Sequence, residues 1–136
     1  MATDFEKQTR ELYAAYNAHD VEKFLSFHTD DIFCEQVVLD GVVVRGKEEY
    51  RTLLKNSFAA LPDFKCELTS FFTNGNQQCE ECVMSGTHTV SYMGLAPTGK
   101  RFSFRGVLVR DLREGKTSRL SLYWDNASFL RQLGAK

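Results

Sequence analysis

Neither sign of charge dominates this 136-residue chain. Its 17 lysine and arginine side chains stand against 18 aspartate and glutamate side chains, giving a net charge of −1 at pH 7. Nucleic-acid-binding domains carry a basic excess and acidic disordered chains the opposite, so this balance argues against both classes. The rest of the composition, 43% hydrophobic and 12% aromatic, is that of an ordinary globular protein. We therefore expect no nucleic-acid partner.

Long apolar runs are also missing. No stretch is long enough to span a bilayer, and the first seven residues lack the cationic start and apolar run of a signal peptide. This predicts a cytoplasmic protein with no membrane partner. In that compartment cysteines stay reduced, so we expect free thiols rather than disulfides at four positions: Cys34, Cys66, Cys79 and Cys82.

Metal-ligand spacing is absent from the sequence as well. The three histidines show neither HxH nor HxxxH spacing. Cys79 and Cys82 form a CxxC, but no second cysteine or histidine pair lies at zinc-finger spacing and the motif falls in a predicted strand. We expect no metal site.

Helical periodicity predicts three helices in the first 60 residues. The first opens with a capping box formed by Thr3 and Glu6. Asp20 is the expected N-cap of a short second helix, which carries His28 on its apolar face. The third covers about residues 47–60, where the apolar spacing is that of a buried stripe.

Alternating and β-rich segments predict an antiparallel sheet. A hairpin turn at Asp40-Gly41 joins two short strands, 32–39 and 42–45. Turn residues then divide the second half into four long strands and a last helix, at about 65–73, 79–92, 101–112, 117–124 and 126–133. Residues 1–136 are therefore expected to form a single α+β domain, with helices on one face of a curved sheet.

A sheet that coils around helices leaves a funnel, and strand alternation predicts which side chains face it. In the second long strand His88 and Tyr92 lie on the apolar face. Phe104 and Trp124 face the same way in the next two strands, and Tyr13, Tyr16 and Phe58 belong to the apolar faces of helices. These aromatic residues are expected to form the wall of an apolar ligand site, although each is also an ordinary core residue.

The chain also resembles a known family through five ordered segments: Ser85-Gly86-Thr87-His88-Thr89, Pro97-Thr98-Gly99-Lys100, Gly115-Lys116, Tyr123-Trp124-Asp125, and Phe129-Leu130-Arg131-Gln132-Leu133-Gly134. It is similar to the SnoaL-like polyketide cyclases, built on the cone-shaped fold of nuclear transport factor 2. That resemblance implies an α+β barrel without a cofactor, its curved antiparallel sheet wrapped around N-terminal helices. It also implies a homodimer formed through the sheet, whose exposed face includes Val107 and Val109.

The resemblance further implies a catalytic aspartate. Members of the family use a buried aspartate as general acid and base, and Asp125 stands at the matching strand end. A carboxylate at the closed end of an apolar funnel would be poorly solvated and suited to proton exchange with a carbon acid. Capping of the last helix is the alternative role for Asp125. His88 is either a hydrogen-bonded core residue or a group that relays protons and orients substrate.

These observations predict an enzyme of the polyketide ester cyclase type acting on a small hydrophobic carbonyl compound. Asp125 and His88 are the expected catalytic residues, and the expected substrate contacts are Tyr13, Tyr16, His28, Phe58, Tyr92, Phe104 and Trp124. Three alternatives remain open: an isomerase or dehydratase like ketosteroid isomerase, a non-catalytic module for ligand binding or dimerisation, and a structural protein with a filled core.

Overall fold

The computed structural model describes residues 4–40 and 42–134, and this part of the chain forms four helices and six strands. The helices are α1 (Asp4–Asn17), α2 (Val21–Leu25), α3 (Gly46–Ala60) and α4 (Asn126–Gln132). The strands are β1 (His28–Gln36), β2 (Val43–Arg45), β3 (Lys65–Asn74), β4 (Gln77–Thr87), β5 (Arg101–Arg113) and β6 (Lys116–Trp124).

The six strands form one sheet in the order β2-β1-β6-β5-β4-β3. All neighbours pair antiparallel except β1 and β6, which run parallel. The sequence predicted antiparallel pairing throughout. Tight turns join β3 to β4 and β5 to β6 and so impose antiparallel pairing, whereas β1 and β6 are separated by most of the chain and no turn fixes their relative direction.

The α+β architecture predicted from the sequence is confirmed, and the bounds of α1, α3 and α4 differ from the predicted ones by one residue at most. Asp20 caps α2 as predicted, its Oδ1 accepting a hydrogen bond from the Lys23 backbone N–H at 3.2 Å. The predicted capping box at the first helix includes Thr3, which lies outside the described residues.

Three predicted boundaries are wrong. α2 ends at Leu25, so His28 begins β1 instead of lying on the helix. The predicted two-residue hairpin is a longer connection, because β1 ends at Gln36 and β2 starts at Val43; Gly41 itself lies outside the described residues. β4 ends at Thr87, five residues early, since a tight turn near Gly94 folds the chain back on itself.

Glycine gives the sheet room for its inner packing. A Cβ on Gly106 would lie 2.7 Å from Cε of Met84 and 3.1 Å from the backbone oxygen of Tyr123. Gly106 therefore lets the Met84 side chain and β6 approach β5. β4 and β5 pair without interruption past Gly106, and the irregularity in β5 lies at Asp111 and Leu112.

Candidate active site

The inner face of the sheet and the helices α1 and α3 enclose a cavity of about 290 Å³. That volume is close to the lower end of the range for ligand pockets. Aliphatic and aromatic side chains make up most of its wall. No aspartate or glutamate among the described residues lines it, so a cavity ligand would meet no carboxylate from this part of the chain.

Six of the residues predicted to form the site line this cavity: Tyr13, Tyr16, His88, Tyr92, Phe104 and Trp124. They come from α1, from β5 and β6, and from the segment that follows β4. Strand alternation therefore places Phe104 and Trp124 on the inner face, and the other four side chains reach the cavity from α1 and from the segment after β4. Their contact with a substrate stays a prediction.

Two predicted substrate contacts lie away from the cavity wall. His28 is fully buried behind it, where its Nδ1–H donates a hydrogen bond to the Phe24 carbonyl oxygen at 2.9 Å and its ring packs on Phe24 and Tyr50. Burial lowers the pKa of His28 to about 3, so this histidine is neutral. Phe58 turns toward α1, where it contacts Tyr16 and stacks on the His19 ring at a centroid distance of 4.0 Å. The α3 turn that carries Phe58 faces the cavity through Ser57 and Leu61 instead.

His88 is held by the loop that follows it. The Thr98 backbone N–H donates to Nδ1 of His88 at 3.1 Å, and Thr98 Oγ1 lies 2.9 Å from the same nitrogen. The His88 backbone N–H donates to the Lys100 carbonyl oxygen and the His88 carbonyl oxygen accepts from the Gly99 N–H, and these bonds fix the loop against the strand end. Because Nδ1 accepts a hydrogen bond, the neutral ring carries its proton on Nε2, an assignment that rests on this network.

The second ring nitrogen of His88 is the notable group of the cavity. The residue is 1% exposed, and its Nε2 has no hydrogen-bond partner in the described structure. Buried polar groups are almost always paired, so each exception calls for an explanation. His88 lines the cavity, and a ligand oxygen that reached Nε2 after a small movement of the surrounding side chains would supply the partner that the described residues do not.

Asp125 does not lie where the sequence predicted. Its carboxylate is exposed and does not line the cavity, so the expectation of a desolvated carboxylate at the closed end is wrong. Instead Oδ1 accepts a hydrogen bond from the Ser128 backbone N–H at 3.0 Å and caps α4. The physical reason is the strand end: β6 stops at Trp124, so the next residue leaves the inner face and meets solvent at the helix terminus.

A buried ion pair was missed by the sequence analysis. Arg110 binds Glu80 through two hydrogen bonds, from Nε at 2.7 Å and from Nη2 at 2.9 Å, and both side chains are almost completely buried. The hydroxyl of Tyr13 donates to the same carboxylate at 2.8 Å, as does the amide of Gln78 at 2.8 Å. Arg110 and Tyr13 line the cavity, whereas Glu80 lies behind them.

The electrostatics of this pair are those of a fixed ion pair. Burial by itself would raise the pKa of the Glu80 carboxyl, but the charge and hydrogen bonds of Arg110 outweigh it and hold that pKa below its ordinary value. Burial and the neighbouring Glu80 raise the pKa of Tyr13. The Glu80 carboxylate is thus ionised and accepts hydrogen bonds from Arg110, Tyr13 and Gln78, and the Tyr13 hydroxyl stays protonated. Strand alternation is the sequence pattern that places both residues on the inner face, because Glu80 shares a face with Met84 and Arg110 shares one with Leu108.

Near the other end of β5, aromatic side chains meet α4. Oδ1 of Asn126 accepts hydrogen bonds from the Tyr92 hydroxyl at 2.6 Å and from the Trp124 indole N–H at 3.3 Å. The Tyr16 hydroxyl has no hydrogen-bond partner in the described part of the chain, and burial raises its pKa. The cavity thus offers a ligand neutral hydroxyl and N–H groups in an apolar wall.

Several other features bear on the kind of site. The described residues contain no cluster of histidine, cysteine, aspartate or glutamate that could hold a metal ion. All four cysteines have free thiols, and burial raises the pKa of Cys34 to about 11. Within the described ranges, no helix is both long and apolar enough to cross a bilayer.

Several solved structures share the fold of this chain. The chain is similar to IdmH, a candidate polyketide cyclase from Streptomyces antibioticus, with 24% identity and a TM-score of 0.80 over 98% of this chain and 100% of that one. A candidate polyketide cyclase from Xanthomonas campestris pv. campestris gives 19% identity and a TM-score of 0.83 over 96% of each chain. A Catenulispora acidiphila protein with a ketosteroid isomerase-like fold, solved with trimethylamine, gives 14% identity and a TM-score of 0.80 over 100% of this chain and 96% of that one.

These likenesses define the class of fold as that of ketosteroid isomerase and nuclear transport factor 2. The sequence model of the SnoaL-like polyketide cyclases matches residues 7–133, nearly the whole chain. The protein therefore belongs to the SnoaL-like polyketide cyclase family, as the ordered segments of the sequence predicted. No curated protein sequence matches it.

Proposed function

We propose that this protein is a cofactor-independent enzyme of the cyclase type, which binds a hydrophobic carbonyl compound in the cavity and activates it through His88. The observation that carries the proposal is the buried, unpartnered Nε2 of a histidine that lines the cavity. Family membership supports the general activity. In the aldol cyclisation of a polyketide ester, negative charge develops on a carbonyl oxygen, which is the group that a buried N–H donor stabilises best.

The tautomer of His88 decides its role. With Nδ1 accepting from Thr98, Nε2–H can donate a hydrogen bond to the carbonyl oxygen and stabilise the negative charge that develops there, while the ring keeps its proton. It has no free electron pair with which to remove a proton from carbon. We therefore assign His88 as the donor that stabilises the oxyanion, and no catalytic role to the exposed Asp125.

The lack of a carboxylate in the described part of the cavity wall limits the class of substrate. Because no aspartate or glutamate in the described wall can accept the carbon proton, the substrate must be acidic in its own right. A β-dicarbonyl compound meets this condition, since its carbon proton can pass to solvent water without a strong base, and water returns a proton to the alkoxide that ring closure forms. The same observation argues against a ketosteroid isomerase-like proton shuttle, which needs a base within the cavity.

The absence of a carboxylate also favours one second candidate, a ligand-binding module without catalysis. Such a module would use the Nε2–H of His88 only to hold a carbonyl oxygen. The open cavity argues against a purely structural protein, whose core would be filled.

Proton exchange separates the two candidates. The test uses an aryl β-keto ester in deuterated buffer, at a pH at which uncatalysed exchange is slow. The NMR signal of its α-proton should disappear faster with the wild-type protein than without it. His88→Asn should reduce that acceleration on the order of a hundredfold, the usual cost of removing one oxyanion donor. His19→Asn is the matched control, because His19 lies outside the cavity wall and Asn tolerates its positive φ of 57°.

Binding of the ester without any acceleration of exchange would favour the ligand-binding module. Equal rates for the wild-type protein and the His88→Asn variant would refute the catalytic role of His88.

We further propose a cytoplasmic homodimer formed through the outer face of the sheet. Val107 and Val109 are half-buried on that face, and Tyr123 is 44% exposed beside them. Apolar groups of this kind are protected when a second copy covers them. Sedimentation of the concentrated protein should give twice the chain mass, and a species of 15.5 kDa alone would contradict the dimer. Fluorescence of the tagged protein in its own cells tests the location.

A further inference from the structure

The cavity has a second polar end. His88 continues the line of β4, and its backbone pairs with Lys100 just before β5. Arg110 lies ten residues further along β5, between Gln78 on β4 and Leu120 on β6. An extended strand of that length measures about 33 Å, and coiling of the sheet shortens the direct path across the cavity. His88, which pairs with Lys100 just before β5, and Arg110, near the far end of β5, therefore border the cavity at opposite ends of that strand.

The Arg110 guanidinium has more N–H donors than its hydrogen bonds within the described residues use. A guanidinium carries five N–H bonds. In this structure two bind Glu80 and one binds Thr117 Oγ1 at 2.8 Å, which leaves two without a partner among the described residues. A second pocket of about 20 Å³, which Arg110 also lines, has room for one water molecule that could accept from one of them. The Arg110 side chain is 3% exposed and also lines the main cavity, so a remaining N–H bond has almost no bulk water to bind.

The charge at this end is balanced. Arg110 and Glu80 form a fixed pair of zero net charge, and Glu80 keeps its negative charge because its pKa is lowered. A carboxylate on the ligand would be a second anion beside one guanidinium, in an apolar wall. Burying an uncompensated anion is costly, whereas a neutral carbonyl oxygen accepts the same hydrogen bond at much lower cost.

We infer that Arg110, with Tyr13 beside it, is a specificity-determining site for a neutral oxygen acceptor, such as an ester or ketone carbonyl, at the end of the ligand far from His88. The inference rests on the proposed function, because it assumes that a carbonyl compound fills the cavity. The preferred ligand is then elongated, apolar in the middle, with one carbonyl held by His88 and a second, uncharged one held by Arg110.

Three matched probes test this on the wild-type protein. Each is a biphenyl methyl ketone whose second ring carries, in the para position, a methyl ester, the free carboxylate, or a sec-butyl group with the shape of the ester. In calorimetric titrations the ester should bind on the order of tenfold more tightly than the sec-butyl analogue, as expected for one hydrogen bond from a charged donor. The carboxylate should bind more weakly than the ester at pH 7.

Two variants tie the preference to Arg110. Glu80→Gln leaves the guanidinium charge unbalanced, so the order of ester and carboxylate should move toward the carboxylate by tenfold or more. In the double variant Glu80→Leu with Arg110→Met both charges are gone, a change that buried ion pairs often tolerate. That variant should bind the ester and its sec-butyl analogue equally. Circular dichroism and urea unfolding verify that each variant is folded.

The outcomes separate this inference from the proposed function. Equal binding of ester and sec-butyl analogue to the wild-type protein would overturn the role of Arg110, while a loss of affinity in His88→Asn would keep the proposal for His88. Loss of the ester preference in the double variant, with no effect of His88→Asn, would support Arg110 and overturn His88. If none of the probes binds, both are overturned.

Discussion

Removing Arg110 alone should destabilise the fold strongly, whereas removing it together with Glu80 should cost much less. In Arg110→Met the Glu80 carboxylate, fully buried, keeps only its hydrogen bonds from Tyr13 and Gln78. An uncompensated buried charge costs about 3–5 kcal/mol. Adding Glu80→Leu removes that charge, so the double variant should regain most of the loss, leaving a deficit of about 1–2 kcal/mol from the unpaired Tyr13 and Gln78.

The pH dependence of the single variant gives a second, independent check. In the wild-type protein the pKa of Glu80 is lowered, so its contribution is present above the unfolded pKa of about 4.3 and lost as the pH falls through the folded value. In Arg110→Met only the hydrogen bonds from Tyr13 and Gln78 oppose burial, which is the largest single cause, so the folded pKa of Glu80 should lie above the unfolded one. Glu80 in the variant then binds a proton at a pH at which Glu80 in the wild-type protein stays ionised. The loss in free energy of unfolding of Arg110→Met relative to the wild-type protein should therefore shrink as the pH falls.

Urea unfolding followed by far-ultraviolet circular dichroism, at pH 7 and at pH 5, measures both effects. A double variant as unstable as Arg110→Met would refute the reasoning, because the loss would then come from packing instead of charge. A deficit in Arg110→Met that is the same at both pH values would also contradict it.

Three further predictions follow from single positions. Gly106→Ala should cost about 1–3 kcal/mol in urea unfolding because its Cβ would lie 2.7 Å from Met84 Cε, and an undiminished midpoint would contradict the close packing. Asp125→Ala should cost about 1 kcal/mol of stability and Asp125→Asn much less, with ketone affinity unchanged in both; a large loss of ketone affinity would return Asp125 to the site. His28 has a folded pKa of about 3, below the unfolded value of about 6.5, so stability should fall by about 1.4 kcal/mol per pH unit as the pH drops from about 6 to 4. His28→Asn should flatten that slope, and equal slopes for the two proteins would show that another group is responsible.

Strand alternation carried most of what the sequence could predict. A side chain two residues from a buried one on the same strand faces the same way, which put His88, Phe104 and Trp124 on the inner face without knowledge of the pairing. Local capping rules also identified Asp20 and Asp125 as helix caps, because the residues involved are neighbours in the chain.

These local rules do not predict which residues pair when they are distant in the chain. Glu80 and Arg110 share the inner face, but their pairing depends on the register of β4 against β5 and on Tyr13 from a distant helix. The burial of Asp125 was an implication of the family resemblance, whereas its observed exposure depends on where β6 ends. His28 was assigned to a helix by its spacing from Phe24 and Leu25, although α2 stops after five residues.

The most direct test of the central claim is the state of the two ring nitrogens of His88. Long-range proton-nitrogen NMR of labelled protein reports which nitrogen carries the proton, before and after addition of the biphenyl ketone ester. We predict a neutral ring protonated on Nε2, whose Nε2 resonance shifts on binding while that of Nδ1, held by Thr98, stays nearly fixed. Protonation on Nδ1, or a bound ester that leaves both resonances unchanged, would contradict the assignment of this cavity as a carbonyl site activated by His88.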